Sequence, residues 1–191
     1  GGVPKQLGIA KDTVEALTAK LREGLDADML VTSAGVSRGD YDVVKDVLAK
    51  EGEVDFWTVR MRPGKPLAFG AFASGGRRVP HIGLPGNPVS SMVSFELFGR
   101  PAIFKMLGRS DWQRPCVRAI AEEPIPNTDG RRVFARAIVT QRDGRYYAAL
   151  TGSQGSGVLT SMAVANALAV VPEDVPGVQV GDEVDAMLLD S

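Results

Sequence analysis

The spacing of apolar residues in the first half of the chain predicts three helices. Apolar side chains recur every three or four positions after a capping-box pattern at residues 12–15, which favours a helix over residues 12–24. A second helix is predicted from residue 43 to a stop at Gly52, with its valines and Leu48 facing inward. A third begins near Asn87, and Pro101 is expected to break or bend it.

Runs of branched and aromatic residues between these helices predict strands. The predicted strands of the first half cover residues 5–9, 28–32, 54–59, 67–72 and 79–84. Strands that alternate with helices are typical of a three-layer α/β unit, here with a largely parallel sheet. This half lacks the further strand and helix that a self-sufficient domain of this design would have, so we expect it to be N-terminally incomplete.

After Gly108 the pattern changes to short strands separated by Asp-Gly and Pro-Gly turns. They are predicted over residues 117–121, 132–141, 145–150, 167–171 and 183–189. This pattern indicates a separate small all-β domain, a barrel or a sandwich. The sequence therefore predicts an α/β domain over residues 1–108 and a β domain over residues 109–191.

Composition narrows the classes of function. The net charge is −1, so no global field attracts the chain to nucleic acid or to an acidic membrane surface. A single cysteine, Cys116, excludes an internal disulfide and is expected to be a small buried residue. The single histidine, His81, is expected to be half-buried and structural. Without a membrane-spanning run or a signal pattern, the expected location is the cytoplasm.

Two glycine-bearing turns, at residues 32–42 and 83–91, each follow a strand-like run and open a helix-like one. The amide N–H groups of a first helical turn have no acceptor within the helix, so a phosphate or another oxyanion is the expected ligand. Serines there could donate hydroxyls, or could cap the helices instead. The candidate binding residues are Ser33, Gly35, Ser37 and Gly39 in the first turn and Gly86, Asn87 and Ser90 in the second.

Charged residues near these turns suggest further chemistry. Arg62 and Lys65 flank Pro63-Gly64 and present two cations, either to an oxyanion or to solvent. Asp42 follows the first turn, where a carboxylate could hold Mg²⁺ or cap the next helix. Arg136 lies within a strand, which indicates a bound anion, a carboxylate partner or a solvent-facing edge.

Four motifs together carry a resemblance to a known family. Residues 32–42, 62–70 and 83–91, with the Thr-Gly-Ser-Gln-Gly-Ser loop at residues 151–156, resemble the MoeA family of molybdenum cofactor biosynthesis, which includes the E domain of gephyrin. The resemblance implies the carboxyl half of a molybdopterin molybdenumtransferase. Its expected fold is most of a molybdopterin-binding (MogA-like) α/β domain followed by a small β-barrel.

The resemblance also implies an activity and a set of site residues. Family members insert molybdate into adenylylated molybdopterin with Mg²⁺ and release AMP; they act as dimers, and a MogA-type adenylyltransferase is the expected partner. Asp12 and Asp42 match acidic positions associated with metal and substrate, and Lys65 and Arg62 match a basic pair. In the β domain, Arg136 and Ser156 match functional positions.

Two departures from the family pattern lie in the first turn. Ala34 stands where the family commonly has a second glycine, which is tolerable if the backbone needs no positive φ there. Arg38 stands where a small apolar residue is common, and it would add a cation.

Two other functions remain open from the sequence. One is pterin binding of the molybdopterin adenylyltransferase (MogA) type, which shares the glycine turn but lacks the β domain and the motif at residues 83–91. The other is a gephyrin-like scaffold that uses this fold to dimerise and to bind a peptide.

Overall fold

The computed structural model describes residues 2–36 and 43–189 of the chain, without the side chains of Val43 and Lys45. The chain divides into two compact units, residues 1–59 with 64–108 and residues 60–63 with 109–191. Residues 60–63 thus belong to the second unit, although the predicted boundary at Gly108 assigned them to the first domain. None of the helices in these described ranges is long and apolar enough to cross a membrane.

The elements of the first unit follow the order that the sequence predicts. Its helices are α1 (Val14–Gly24), α2 (Val43–Glu51), α3 (Pro88–Ser94) and α4 (Arg100–Met106). Its strands are β1 (Leu30–Ser33), β2 (Glu53–Thr58), β4 (Pro66–Ser74) and β5 (Arg77–Leu84).

The four strands form one sheet in the order β1-β5-β4-β2. Only β1 and β5 are parallel, whereas β4 is antiparallel to both β5 and β2. The expectation of a largely parallel sheet was therefore wrong. Gly75 and Gly76, both at positive φ, make a two-residue hairpin between β4 and β5, and such a hairpin joins antiparallel strands.

Helices cover both faces of this sheet, as a three-layer arrangement requires. On one face, α1 and α2 pack on the sheet through Leu21, Val47 and Leu48, together with Phe72 and Val79 of the strands. On the other face, Phe95, Phe98 and Ala102 pack against strand residues Leu67, Ile82 and Leu84. Residues of opposite parity in β4 and β5 serve the two faces, which explains why the centres of these two strands lack a polar side.

One local prediction for the first unit was wrong, and the structure refines a second. Residues 5–9 form no strand: Ile9 is almost fully exposed, and the segment pairs with no strand in the described ranges. The helix predicted to break or bend at Pro101 is not broken there: a π-helical turn, Phe95–Gly99, joins α3 to α4 just before Pro101. A wider turn accommodates a residue that lacks the N–H of the regular helical ladder.

The second unit is built from short strands and one short helix. In chain order they are β3 (Met61–Arg62), β6 (Cys116–Ala121), β7 (Ile125–Pro126), β8 (Arg132–Arg142), β9 (Arg145–Leu150), α5 (Leu159–Ala163), β10 (Ala167–Val171), β11 (Gly177–Val178) and β12 (Glu183–Leu188).

Five of these strands close into a barrel, which confirms the predicted β-barrel fold. The order is β10-β12-β6-β9-β8, and β8 pairs back to β10; β3 extends the sheet beside β8. Eight buried alanines and several valines fill the interior. Short side chains suit a barrel of so few strands, since its interior is narrow.

Cys116 lies at the start of β6 and is exposed, so the expectation that it is buried was wrong. Partial desolvation and the neighbouring Asp185 carboxylate raise the pKa of its thiol. A raised pKa keeps the thiol protonated and poorly reactive at neutral pH.

Gly70 provides a test of the pairing between β2 and β4. A Cβ at this position would lie 2.0 Å from the carbonyl oxygen of Glu53 and 2.6 Å from the Cα of Val54 on the adjacent strand. We expect Gly70→Ala to lower the free energy of unfolding by roughly 1–3 kcal/mol, because the backbone must move to make room. Thermal unfolding followed by circular dichroism measures the change.

Ala73→Val, on the exposed side of the same strand, is the matched control and should change stability by less than about 0.5 kcal/mol. Equal stability of the Gly70 variant and the wild type would contradict the strand packing described here.

Candidate functional site

The described parts of the two predicted glycine turns, residues 32–36 and 83–91, lie side by side in the first unit. β1 and β5 are adjacent and parallel, with Thr32 opposite Gly83 and Ser33 opposite Leu84. Both strands therefore end at the same edge of the sheet, and each turn starts where its strand ends. This edge is where open α/β sheets bind ligands.

Direct contacts join the two turns. The amide of Ala34 donates to the carbonyl of Leu84 at 3.1 Å, and the Ser33 hydroxyl donates to the carbonyl of Pro85 at 3.4 Å. A Cβ on Gly86 would lie 3.1 Å from the Cβ of Ala34, so glycine permits this close approach. Among the described residues of the two turns, Ser33, Ala34, Gly86 and Pro88 are exposed, whereas Gly35 is buried.

The first turn has a strained backbone. Ala34 and Gly35 adopt φ of 80° and 76°, in the left-handed region. The backbone thus needs positive φ where this chain has alanine, at a cost of about 1–2 kcal/mol relative to an unstrained residue. Gly35 has a second requirement, since a Cβ there would lie 2.3 Å from Cγ1 of Val44.

The second turn continues into α3 through a cap. The Asn87 side chain accepts from the amide of Ser90 at 3.4 Å, and Pro88 occupies the first helical position. Ser90 is buried. The Asn87 side chain therefore caps α3, whereas Ser90 contributes only its backbone amide to this cap.

Lys65 lies at the same edge of the sheet as the turns. It immediately precedes β4, whose residue Ala68 pairs with Gly83 near the end of β5. Its carbonyl accepts from the amide of Val59 at 2.8 Å, and its side chain is exposed. Within the described part of the chain its ammonium group makes no ion pair, so its charge is available to a ligand.

Arg62, the other member of the predicted basic pair, belongs to the second unit. Its guanidinium donates to the carbonyl of Pro126 at 2.8 Å and lies 3.7 Å from the Asp129 carboxylate. Asp129 also binds Arg131, and the hydrogen bond from Arg131 is the main cause that lowers the pKa of Asp129. The charge of Arg62 is thus partly balanced within its own unit.

Of the two acidic candidates, Asp12 lies within the described residues and Asp42 does not. Asp12 is exposed and lies two residues before α1, and the residue that caps α1 is Thr13, whose hydroxyl accepts from the amide of Ala16 at 3.3 Å. Three further candidates lie outside the described residues: Ser37, Gly39 and Asp42. The same holds for Arg38, which differs from the common family pattern. Across the described ranges, no three His, Cys, Asp or Glu side chains cluster as a metal site would require.

His81 is fully buried beneath the turns, not half-buried as expected. Its Nε2 lies 3.0 Å from the hydroxyl of Thr32, and its ring meets Phe72 edge-on at a centroid distance of 5.3 Å. Its Nδ1 has no hydrogen-bond partner among the described residues. Burial lowers the pKa of His81 to about 4, because the charged form would be desolvated.

Arg136, in the second unit, is buried and surrounded by one loop. Its guanidinium donates to the Ser161 hydroxyl and to three consecutive carbonyls, those of Ser153, Gln154 and Gly155, at 3.0–3.3 Å. The Gln154 amide bonds the Arg136 backbone on both sides, accepting from its N–H at 2.8 Å and donating to its carbonyl at 3.1 Å.

No carboxylate in the described ranges pairs with Arg136, so main-chain carbonyls take the place of the expected anion, acidic partner or solvent. Desolvation lowers the pKa of this buried guanidinium. Ser156, the other candidate in this unit, is exposed on the loop that Arg136 organises.

Sequence reasoning missed the contact between His81 and Thr32. A signal was available, because His81 has the parity of the buried Val79 on a strand that helices cover on both faces. The loop around Arg136 had no such signal, since its carbonyls come from residues 17–19 positions away.

Comparison with known proteins gives consistent results along the chain. Residues 1–105 match the family described as "Probable molybdopterin binding domain", and residues 118–189 match the MoeA C-terminal region, domain IV. The first match covers more than half of the chain.

Curated relatives and a solved structure agree with these matches. Molybdopterin molybdenumtransferase 2 of Mycobacterium tuberculosis is 38% identical over 168 residues, covering 85% of this chain and 40% of the relative. Gephyrin of Dictyostelium discoideum is 33% identical over 209 residues, covering 99% of this chain and 28% of the relative.

The solved structure is the molybdopterin biosynthesis MoeA protein of Pyrococcus horikoshii, with a TM-score of 0.77 at 28% identity, covering 97% of this chain and 43% of that one. The chain thus spans less than half the length of these proteins.

The burial of His81 generates a prediction about pH. The pKa of His81 is about 4 in the folded protein and 6.5 when exposed. Between these values the unfolded chain takes up a proton that the folded protein does not, so stability falls as the pH drops from 6.5 to 4. The total loss should be about 3 kcal/mol.

Denaturant unfolding at a series of pH values measures this loss, and the variant His81→Leu should lack it. Comparing the two proteins at the same pH removes the contribution of the acidic residues, which titrate in both. A pH dependence that is identical in the two proteins would show that His81 is accessible to protons when folded.

Arg136 generates a second prediction. Lysine keeps the charge but not the fork of donors, so Arg136→Lys should release residues 152–156 and raise their hydrogen-exchange rates while the barrel strands stay protected. The stability of the unit should fall by about 2 kcal/mol, the scale of a lost hydrogen bond to a charged group.

The matched control is Arg118→Lys, which alters an exposed arginine that pairs with Glu183 and Asp185 in the same unit. If the two variants exchange alike in residues 152–156, the loop does not depend on Arg136.

Proposed function

This chain belongs to the MoeA family, and we propose that it contributes to the insertion of molybdate into adenylylated molybdopterin, with release of AMP. The observation that supports the proposal most directly is the contact between the two glycine turns at one sheet edge, with Lys65 at the same edge. The family's curated relatives are named molybdopterin molybdenumtransferase. Because the chain covers only part of those proteins, the activity is proposed for the larger assembly to which it contributes.

The chemistry of the first unit suits a phosphorylated ligand. The exposed, described residues at the shared sheet edge include a serine hydroxyl, small residues that let a ligand approach the backbone, and the ammonium group of Lys65. In this proposal Ser33 and Gly86 contact the phosphate of the pterin or the molybdate, and Lys65 balances their charge. Ser37, Gly39, Gly35, Asn87 and Ser90 are the remaining proposed binding residues of the two turns.

The charge of Lys65 would act locally. The chain as a whole carries a net charge of −1, so the attraction of an oxyanion depends on cations at the site itself. Positioning and electrostatic stabilisation by fixed groups are the usual means by which proteins promote transfer of phosphate-like groups.

The second unit would contribute Arg136, Ser156 and Arg62. The buried charge of Arg136 is not neutralised by a carboxylate in the described ranges, and it holds the loop that presents Ser156. We propose that this loop takes part in binding the oxyanion substrate, with Arg136 acting on the loop from below.

Mg²⁺ is proposed at Asp42 and Asp12, the two acidic positions that match the family. The described donors do not assemble a metal site on their own. A homodimer, a MogA-type adenylyltransferase partner and a cytoplasmic location complete the proposal; the single cysteine is in keeping with a reducing compartment.

The proposal predicts a specific loss of anion binding. Titration calorimetry with molybdate, inorganic phosphate and AMP should detect binding to the wild-type chain. Lys65→Ala should weaken the binding of molybdate and phosphate about tenfold, because one charge-assisted hydrogen bond is lost.

Lys50→Ala, in the last turn of α2, is the control and should bind as the wild type does. Asp42→Asn should remove any strengthening of AMP binding by Mg²⁺. Normal binding by both the Lys65 and Asp42 variants would overturn the site assignment, and a folded wild type that binds none of the three probes would favour the gephyrin-like scaffold function.

A further inference from the structure

The hydrogen bond between His81 and Thr32 joins the two strands just before both turns begin. Thr32 directly precedes the turn residues Ser33 and Ala34, and His81 stands two residues before Gly83. We infer that His81 is a positioning residue for anion binding, which fixes the first turn through the hydroxyl of Thr32. The inference rests on the proposed function of the two turns.

The register explains how the two side chains meet. Leu30 pairs with His81 and Thr32 pairs with Gly83, so His81 and Thr32 are diagonal neighbours on the face that α1 and α2 cover. The side chains reach each other across the space that Gly83 leaves empty. A Cβ on Gly83 would lie 3.3 Å from Cε1 of His81 and 2.9 Å from Cγ1 of Val36.

Val36 connects the ring to the far end of the turn. It is buried and follows Gly35 directly, and it borders the same space over Gly83 as the histidine ring. The turn at residues 33–36 is therefore supported at its start by the Thr32 hydroxyl and at its end by the packing of Val36. Both supports depend on the groups that surround Gly83.

The turn needs such support because its backbone is strained. Ala34 holds a φ of 80° that alanine disfavours, so a loosened turn would relax away from this geometry. The bonds of Ser33 and Ala34 to Pro85 and Leu84 hold the turn from the side of β5. The bond from His81 holds it from beneath the sheet edge.

Stability alone does not account for a histidine at this position. The ring is fully buried, and its Nδ1 has no hydrogen-bond partner in the described ranges. Burial of a polar atom without a partner lowers the stability of the folded protein. Phe72 and Val79 make the surroundings apolar, so an apolar side chain of similar size would avoid that cost. What only the histidine supplies is the hydrogen bond to Thr32.

A double-mutant cycle tests the inference. Thr32→Val removes the hydroxyl with little change of shape, and His81→Leu removes the ring nitrogens. Each should weaken the affinity for molybdate about threefold to tenfold, and the double variant should be no weaker than the single ones, since both remove the same bond. Thr32→Ser keeps a hydroxyl and should retain wild-type affinity within about twofold.

Two measurements distinguish a positioning role of His81 from a purely structural one. Affinity for molybdate is measured by titration on samples shown to be folded, and hydrogen exchange of the amides of residues 34–36 is measured without ligand. Support for the inference is weaker binding and faster exchange in Thr32→Val and His81→Leu, with both restored in Thr32→Ser. Lower melting temperatures with unchanged affinity overturn it.

The same readings distinguish failure of the inference from failure of the proposed function. If the folded wild type binds neither molybdate nor phosphate, the proposed function is wrong, and so is the positioning role of His81 in anion binding. A wild type that binds, with variants that bind equally well, defeats the inference alone.

Discussion

The parallel pairing of β1 with β5 is the constraint on which the candidate site of the first unit depends. Because the two strands run in the same direction and are hydrogen-bonded neighbours, their carboxyl ends coincide, and two turns that are about 50 residues apart in sequence come into contact. A shift of one residue in this register would turn Thr32 and His81 to opposite faces. The register is secured by side chains on both faces, where Leu30 and Val79 pack under α1 and α2 and Ile82 packs under the other helical layer.

Each unit also contains a buried polar group tied to a turn or loop. Arg136 donates four hydrogen bonds and is almost fully satisfied by a loop that wraps around it. His81 makes one hydrogen bond and leaves a nitrogen without a partner in the described ranges. The two groups therefore differ in energetic balance, but both convert a flexible glycine-bearing segment into a defined one. Such segments carry few side chains of their own to fix their shape, so the order has to come from a neighbouring element.

Much of the fold could be predicted because the signals were local. Helical spacing located α1, and branched runs located β4 and β5, since periodicity reports which side of an element is buried. Strand direction was wrong in the middle of the sheet, although the Gly75-Gly76 pair was a sufficient hairpin signal. The π turn before Pro101 had no such signal, because it depends on how the whole helix packs.

The candidate site was less accessible to sequence reasoning. Glycine turns and cations could be named from the motifs, and whether they bind a ligand stays a prediction. Their contacts depended on strand register and loop closure, which no local pattern contains. The side-chain partners of Arg62 and Arg136 belong to this class, since Pro126 and the loop at residues 153–155 are distant in sequence from the arginines that bind them. Local patterns thus indicated the residue types of the candidate site. Tertiary structure determined which of the charged side chains have partners within the protein, as Arg62 does.

The alanine-filled barrel limits how the second unit can evolve. With five strands closed around eight alanines and several branched side chains, the interior is narrow, and enlarging any of these residues would push the strands apart. We therefore expect new specificity to arise on the outside of the wall, in the connecting segments. Arg136 already occupies that outer layer, so a change in the length or composition of the loop above it could retune recognition while the scaffold beneath stays the same.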